Sequence, residues 1–181
     1  MRKHRAAPGV ILDLRGNPGG NFSGVLRLAD EFFPRRVSFG SVITRSGRSP
    51  SLILRIFGVP ARLEAGHAGH GTYAGPVAIL INEGSGSGAE IFAAGMQENR
   101  RATIIGRQSC GCVLGSVPHK VKGGAEVDIS EFAIVTSKDK RLEGVGVIPD
   151  VAVPLTLADV RQHRDSALES AIEMLRKSNS R

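Results

Sequence analysis

Short apolar runs that end in glycine-rich loops set the pattern of this chain. Residues 9–14 (GVILDL) form the first run, closed by Arg15-Gly16-Asn17-Pro18-Gly19-Gly20. This predicts a buried strand running into a Gly/Pro loop. Phe22, Val25, Leu26, Ala29, Phe32 and Phe33 then recur at spacings of three and four up to Pro34, which predicts an amphipathic helix stopped by proline. Val42-Ile43-Thr44 reads as a second strand. Residues 45–75, rich in Gly, Arg, Ser and Ala, lack periodicity and are expected to be loops. Val77-Ala78-Ile79-Leu80-Ile81 is a continuous apolar run, predicted to be a central strand. It leads through Glu83-Gly84-Ser85-Gly86-Ser87-Gly88 into a helix over 89–99, then a strand over 102–105. Strand, helix and strand at this spacing predict a parallel β-α-β unit. Residues 117–121 and 127–135 flank Lys122-Gly123-Gly124-Ala125 as a hairpin. Leu168, Ala171, Ile172 and Leu175 mark a final amphipathic helix, capped by Asp165 or Ser166. No internal repeat or linker interrupts residues 1–181, so the reading is one α/β domain.

Composition narrows this picture. The chain has 181 residues, 41% of them hydrophobic and 23% charged, which suits one globular domain and excludes a disordered tail, a collagen-like rod or a coiled coil. No apolar run approaches the roughly 18 residues of a transmembrane helix. Twenty-three glycines point to many tight turns or close backbone approaches. With one Tyr, seven Phe and no Trp, there is little material for a base-stacking surface, and nucleic acid is not expected as a partner. The net charge of +7 is spread along the chain and reads as a solvated basic surface. Cys110 and Cys112 are too few and too close for a disulfide framework, and they lack the second pair that a zinc site needs. The basic start, followed by an apolar stretch that Asp13 breaks, is no signal peptide.

The two glycine loops carry the candidate chemistry. A serine at a strand-to-helix turn has an exposed hydroxyl. The helix N-terminus behind it supplies free N–H groups and positive potential. Those groups can stabilise the oxyanion of acyl transfer. Ser85 and Ser87 fit that role, and both equally fit a plain helix N-cap. The same stretch, Gly84-x-Gly86-x-x-Ala89, also matches the dinucleotide fingerprint. That motif requires an acid about 20 residues further on, where this chain has Gly106-Arg107-Gln108. DLRGNPGG at 13–20 could set backbone N–H groups against an anion or an extended peptide. It lacks the Lys and Ser/Thr of a phosphate-binding P-loop.

Taken in order, VILDLRGNPGG, INEGSGSGAE and GVGVIPD (residues 144–150) resemble the catalytic core of the C-terminal processing (tail-specific) serine peptidases, over roughly residues 8–177. The resemblance implies a crotonase- or ClpP-like α/β fold and hydrolysis of peptide bonds near the carboxyl termini of protein substrates. No cofactor or metal is implied. Position by position, Ser87 matches the nucleophile and Glu90 the last acid of the family's serine stretch. The oxyanion hole would come from the backbone N–H groups of Gly20 and Gly88.

Two departures accompany the resemblance. The family's general-base lysine lies 25 positions after the serine; here that position is Cys112, in Ser109-Cys110-Gly111-Cys112, and the family's following glutamine is Ser116. A thiol, with a reference pKa of about 8.5, is a poor and differently charged substitute for a lysine base. Another base is therefore expected from His119, Lys120, Lys122, His67 or His70. Otherwise the chain is a catalytically silent peptide binder, or it uses a different mechanism around the Cys-Gly-Cys turn. The second departure is at the start. The family's helical and PDZ regions would precede the first strand, which here has about a dozen residues before it. The reading is a core without those regions, either a fragment of a longer protein or a chain that needs a partner to complete its sheet, and its open strand edge invites self-association. Family members usually work outside the cytoplasm.

Overall fold

The computed structural model of the chain describes residues 6–44, 60–68 and 71–179. In chain order the elements are β1 (Val10–Asp13), α1 (Phe22–Asp30), β2 (Val37–Thr44), β3 (Arg62–Ala65), β4 (Val77–Ile81), α2 (Gly88–Glu98), β5 (Thr103–Gly106), β6 (Gly115–Lys120), β7 (Glu126–Val135), β8 (Val151–Ala152), α3 (Leu157–Arg161) and α4 (Ser166–Asn179). They build two four-stranded sheets. One is parallel, in the order β1-β4-β5-β8; the other is antiparallel, in the order β3-β2-β7-β6.

The apolar run of β4 is explained by burial on both faces, the usual condition of a central parallel strand. Val77, Ile79 and Ile81 join the larger core with Ile104 of β5, Phe92 and Met96 of α2, and Phe39 and Val42 of β2. Ala78 and Leu80 face the other way, onto Ile105, Ala171 and Leu175, so α4 covers that side. The two helices α1 and α2 pack between the sheets. Gly95 permits this on the α2 side: a Cβ there would lie 1.9 Å from the Phe39 ring. Phe32 stands edge-on to Phe92, with ring centroids 6.3 Å apart.

The β-α-β unit, the hairpin and the tail helix match the sequence reading. Asp165 caps α4, its carboxylate accepting from Leu168 N at 3.0 Å. Two differences have local causes. Residues 60–68, expected as loop, contain β3, which pairs antiparallel with β2. Its four residues alternate Arg62 out and Leu63 in, too short a run for a period to show. Residues 45–59 and 69–70 of the expected loop lie outside the described residues. The first helix ends at Asp30, and Phe32 and Phe33 are buried beyond it in the turn before Pro34. Burial against the core, not helix continuation, is what their spacing recorded. Among the described residues no helix is long and apolar enough to cross a membrane.

Candidate active site

β1 and β4 are adjacent and parallel, with Val10 opposite Val77 and Asp13 opposite Leu80. The loops that follow them therefore leave the same sheet edge side by side, where ligands gather in parallel α/β sheets. They are tied together by backbone and by two asparagines. Gly86 N donates to Asn17 O at 2.9 Å. Asn82 Oδ1 accepts from Gly16 N at 2.8 Å and from Gly84 N at 3.1 Å. The contact is close enough to require glycine. Gly19 has φ +100°, and a Cβ there would lie 2.4 Å from Gly88 N and 2.8 Å from Ser87 Cβ. A Cβ on Gly88 would lie 2.9 Å from both N and O of Gly20. Gly20 and Gly88, the latter next to Ser87 in sequence, line a cleft of about 280 Å³ whose apolar side is formed by Leu14, Val25, Leu28 and Phe92.

The two serines of the turn part company here. Ser85 is fully buried; its hydroxyl donates to Leu14 O at 2.7 Å and accepts from Asn82 N at 3.0 Å. It is a joint between the loops. Ser87 is half-buried and directly precedes α2, with φ +50° and ψ −117°. A non-glycine residue held in this region sits on a sharp, strained turn of the kind that presents a nucleophile.

Glu90, fully buried in the first turn of α2, organises the surroundings. Its Oε1 accepts from Ser109 Oγ at 2.5 Å and Gly111 N at 2.7 Å; its Oε2 accepts from Cys112 N at 2.9 Å and Ser87 N at 3.1 Å. Ser87 N also donates to Cys112 O at 2.9 Å. The turn over 109–112 is thereby fastened directly under the serine. Cys110 and Cys112 build no framework, but they close on each other in a disulfide across two positions. In the disulfide Cys112 carries no free thiol.

The structure brings Ser87, Gly88, Gly20, Glu90 and Cys112 together, and the described base candidates have other partners or are exposed. His67 Nδ1 lies 3.2 Å from Asp30 Oδ1. His119 Nε2 lies 2.7 Å from Glu131 Oε1 across the β6–β7 hairpin. Lys120 and Lys122 are exposed on that hairpin, and His70 lies outside the described residues. Among the described residues, no histidine, lysine or carboxylate side chain hydrogen-bonds the Ser87 hydroxyl. The dinucleotide reading loses its amides as well. Ser85 N, Gly86 N and Ser87 N are all spent on backbone carbonyls, and Arg107 is paired with Glu83 at 2.9 Å.

Sequence reasoning missed two supports. Ser109 Oγ, besides donating to Glu90, accepts from Val147 N at 2.6 Å. Glu143 accepts from Val113 N at 2.8 Å and Leu114 N at 3.1 Å. GVGVIPD pointed to them, since this motif wraps the cysteine turn: Gly144 N donates to Gly111 O at 2.8 Å. A Cβ on Gly146, which has φ +74°, would lie 2.6 Å from Ser109 O.

The sequence and the fold have counterparts among known proteins. A carboxy-terminal-processing protease of Bartonella bacilliformis is 33% identical over 162 residues, 88% of this chain and 34% of that protein. A carboxyl-terminal-processing protease of Synechocystis is 26% identical over 176 residues, covering 96% of this chain and 38% of its own length. The chain therefore spans little more than a third of these relatives. In fold it is similar to the photosystem II D1 C-terminal processing protease, with a TM-score of 0.69 at 22% identity over 89% of this chain and 40% of the other. The mixed α/β core expected from the sequence is thus the one found. The sequence matches the profile of peptidase family S41 across residues 1–153, and the chain belongs to that family.

Proposed function

We propose that this chain is the peptidase core of a carboxyl-terminal-processing protease that forms an acyl-enzyme on Ser87. The observation that carries the reading is the convergence of two motif loops. Gly19 of DLRGNPGG lies against the serine turn so closely that a Cβ on it would collide with Gly86, Ser87 and Gly88. In the proposed reaction Ser87 Oγ adds to the scissile carbonyl of a polypeptide and loses its proton to a base. The oxyanion is held by the N–H groups of Gly20 and Gly88. Collapse expels the amine, and water then releases the acyl group. One oxyanion donor of this kind is worth about a hundred- to a thousandfold in rate. The apolar wall of Leu14, Val25, Leu28 and Phe92 suits an aliphatic substrate side chain next to the reacting carbonyl.

A second reading rests on a specific feature. The position of the family's lysine is Cys112, locked in a disulfide, which favours a peptide-binding relative without turnover. Labelling with a fluorophosphonate probe separates the two. A Ser87 adduct located by mass spectrometry and lost in Ser87→Ala supports the peptidase. No adduct on a folded chain that still binds carboxyl-terminal peptides supports the silent binder.

A further inference from the structure

We propose that Cys110 and Cys112 form a reversible thiol–disulfide site, reduced by a dithiol, that sets how firmly the serine turn is held. The part of the inference that concerns reactivity rests on the reading of Ser87 as nucleophile.

Three observations carry it. First, the pair straddles the serine turn. Cys110 N donates to Ser85 O at 2.9 Å, and Cys112 O accepts from Ser87 N at 2.9 Å. A Cβ on Gly86, between those two serines, would lie 3.8 Å and 3.9 Å from the Cβ atoms of Cys110 and Cys112. Each half of the disulfide is thus bonded to one side of the turn that presents Ser87. Second, both cysteines are solvent-exposed, so a reductant reaches them without unfolding, and exposed disulfides are the labile ones. Third, the bridge spans a sequence separation of only two. A loop this small restrains the unfolded chain little, so breaking it is a local event. The surrounding clamp persists after reduction, because Glu90 and Glu143 hold the amides of Gly111, Cys112, Val113 and Leu114. That clamp keeps the thiols near each other for re-closure.

The chemistry balances with a dithiol as co-reactant. One thiolate of the dithiol attacks a sulfur of the bridge; the S–S bond breaks, a mixed disulfide forms and the other cysteine leaves as a thiolate. The second thiol of the reductant displaces the first cysteine and closes its own disulfide. Two electrons pass to the protein, and the two cysteine sulfurs take up protons. A linear disulfide such as oxidised glutathione restores the bridge: one cysteine thiolate attacks it and releases one thiol, and the other cysteine displaces the second thiol as the S–S bond re-forms. In the reduced state Cys112 presents a thiol at the position where the family carries its base; in the oxidised state it presents none.

The test uses the whole chain before and after dithiothreitol, with maleimide mass tagging and amide hydrogen exchange. Maleimide should add nothing to the oxidised chain and two tags to the reduced one. Reduction should speed exchange in peptides covering 84–91 by roughly fivefold, the factor expected for loss of one ordinary backbone hydrogen bond. Peptides from α4 and the β6–β7 hairpin should not change, and removing the reductant and adding oxidised glutathione should reverse the effect. The Cys110→Ser/Cys112→Ser variant should show the fast exchange in both conditions. Tags on the untreated chain, unchanged exchange at 84–91 after two tags are gained, or equal acceleration everywhere would each overturn the proposal. Fluorophosphonate labelling of the two states is the separate arm. A redox-dependent rate at Ser87 supports the link to reactivity. No labelling in either state counts against the nucleophile and leaves the exchange result standing.

Discussion

Gly19 and Gly20 are neighbours in one motif, and the structure gives them opposite sensitivities. Gly19 has φ +100°, and a Cβ there would lie 2.4 Å from Gly88 N, 2.6 Å from Gly86 O and 2.8 Å from Ser87 Cβ. Two of those atoms are backbone at the foot of α2 and cannot rotate away. An alanine held at this φ costs roughly 1–3 kcal/mol, and relief of the overlap costs about 1–3 kcal/mol more. Gly19→Ala should therefore lose about 2–6 kcal/mol. A Cβ on Gly20 meets nothing within 4 Å, and its φ lies outside the left-handed region. Gly20→Ala should stay within about 0.5 kcal/mol, the range of an ordinary surface change. Urea unfolding followed by far-UV circular dichroism measures both. With a slope of about 2 kcal/mol/M, Gly19→Ala should move the midpoint down by about 1–3 M. Equal midpoints for the two variants, or a Gly19→Ala midpoint within error of the parent, would refute the claim that the loops are in backbone contact.

Three further outcomes test other joints of the site. Ser85→Ala removes the partner of both Leu14 O and Asn82 N and should cost about 1–3 kcal/mol in the same unfolding assay; a neutral result would mean the loops are not tied through Ser85. Glu90→Gln must turn its amide group toward two donors on one side or the other, and bonds to a charged acceptor are worth about 1.5–3 kcal/mol each. A loss of about 3 kcal/mol or more is expected, with faster exchange of the Gly111 and Cys112 amides, and a variant as stable as the parent would contradict the clamp. Hydrogen bonds from Ser166 and Thr156 hold the Asp159 carboxyl down at about 2. The stability it contributes is present above its ordinary value of 3.8 and is lost as pH falls through about 2. In thermal melts Asp159→Asn should trail the parent at pH 7, with a gap that narrows below pH 4; a gap independent of pH would remove Asp159 from the account.

What the sequence made legible was whatever one segment encodes by itself. Five apolar residues in a row can only be buried on both faces, so β4 was readable. The glycine loops were readable because φ-permissive residues cluster where the backbone must turn sharply. Ser85 and Ser87 could not be told apart on that basis, since both are small hydroxyls in the same loop. Their difference depends on Leu14, 71 positions from Ser85 in sequence, and on the register that sets β1 beside β4. Ser109 was passed over for the same reason: its partners, Glu90 and Val147, are 19 and 38 positions away. The short elements β3 and β8 owe their existence to pairing, with β2 and β5 respectively, and carry no period of their own.

The remaining chemical question is where the proton of Ser87 goes, and the geometry narrows it by saturation. Glu90 is the nearest carboxylate in sequence, yet each of its oxygens already accepts two hydrogen bonds. A carboxylate in that state anchors the turn, Ser87 N included, and has no lone pair left for the Ser87 hydroxyl. His67 and His119 each have a carboxylate partner of their own, Asp30 and Glu131, and neither bonds to the Ser87 hydroxyl. Cys112, which the resemblance sets at the family's lysine position, has no thiol while the bridge is closed. In the proposed reaction Cys112 can therefore act as base only after reduction, and with the bridge closed the proton of Ser87 must go to another group. Fluorophosphonate labelling of the oxidised chain decides between them. If the oxidised chain labels at Ser87, the base is not Cys112; if only the reduced chain labels, the base position of the family is still in use, with sulfur in place of nitrogen.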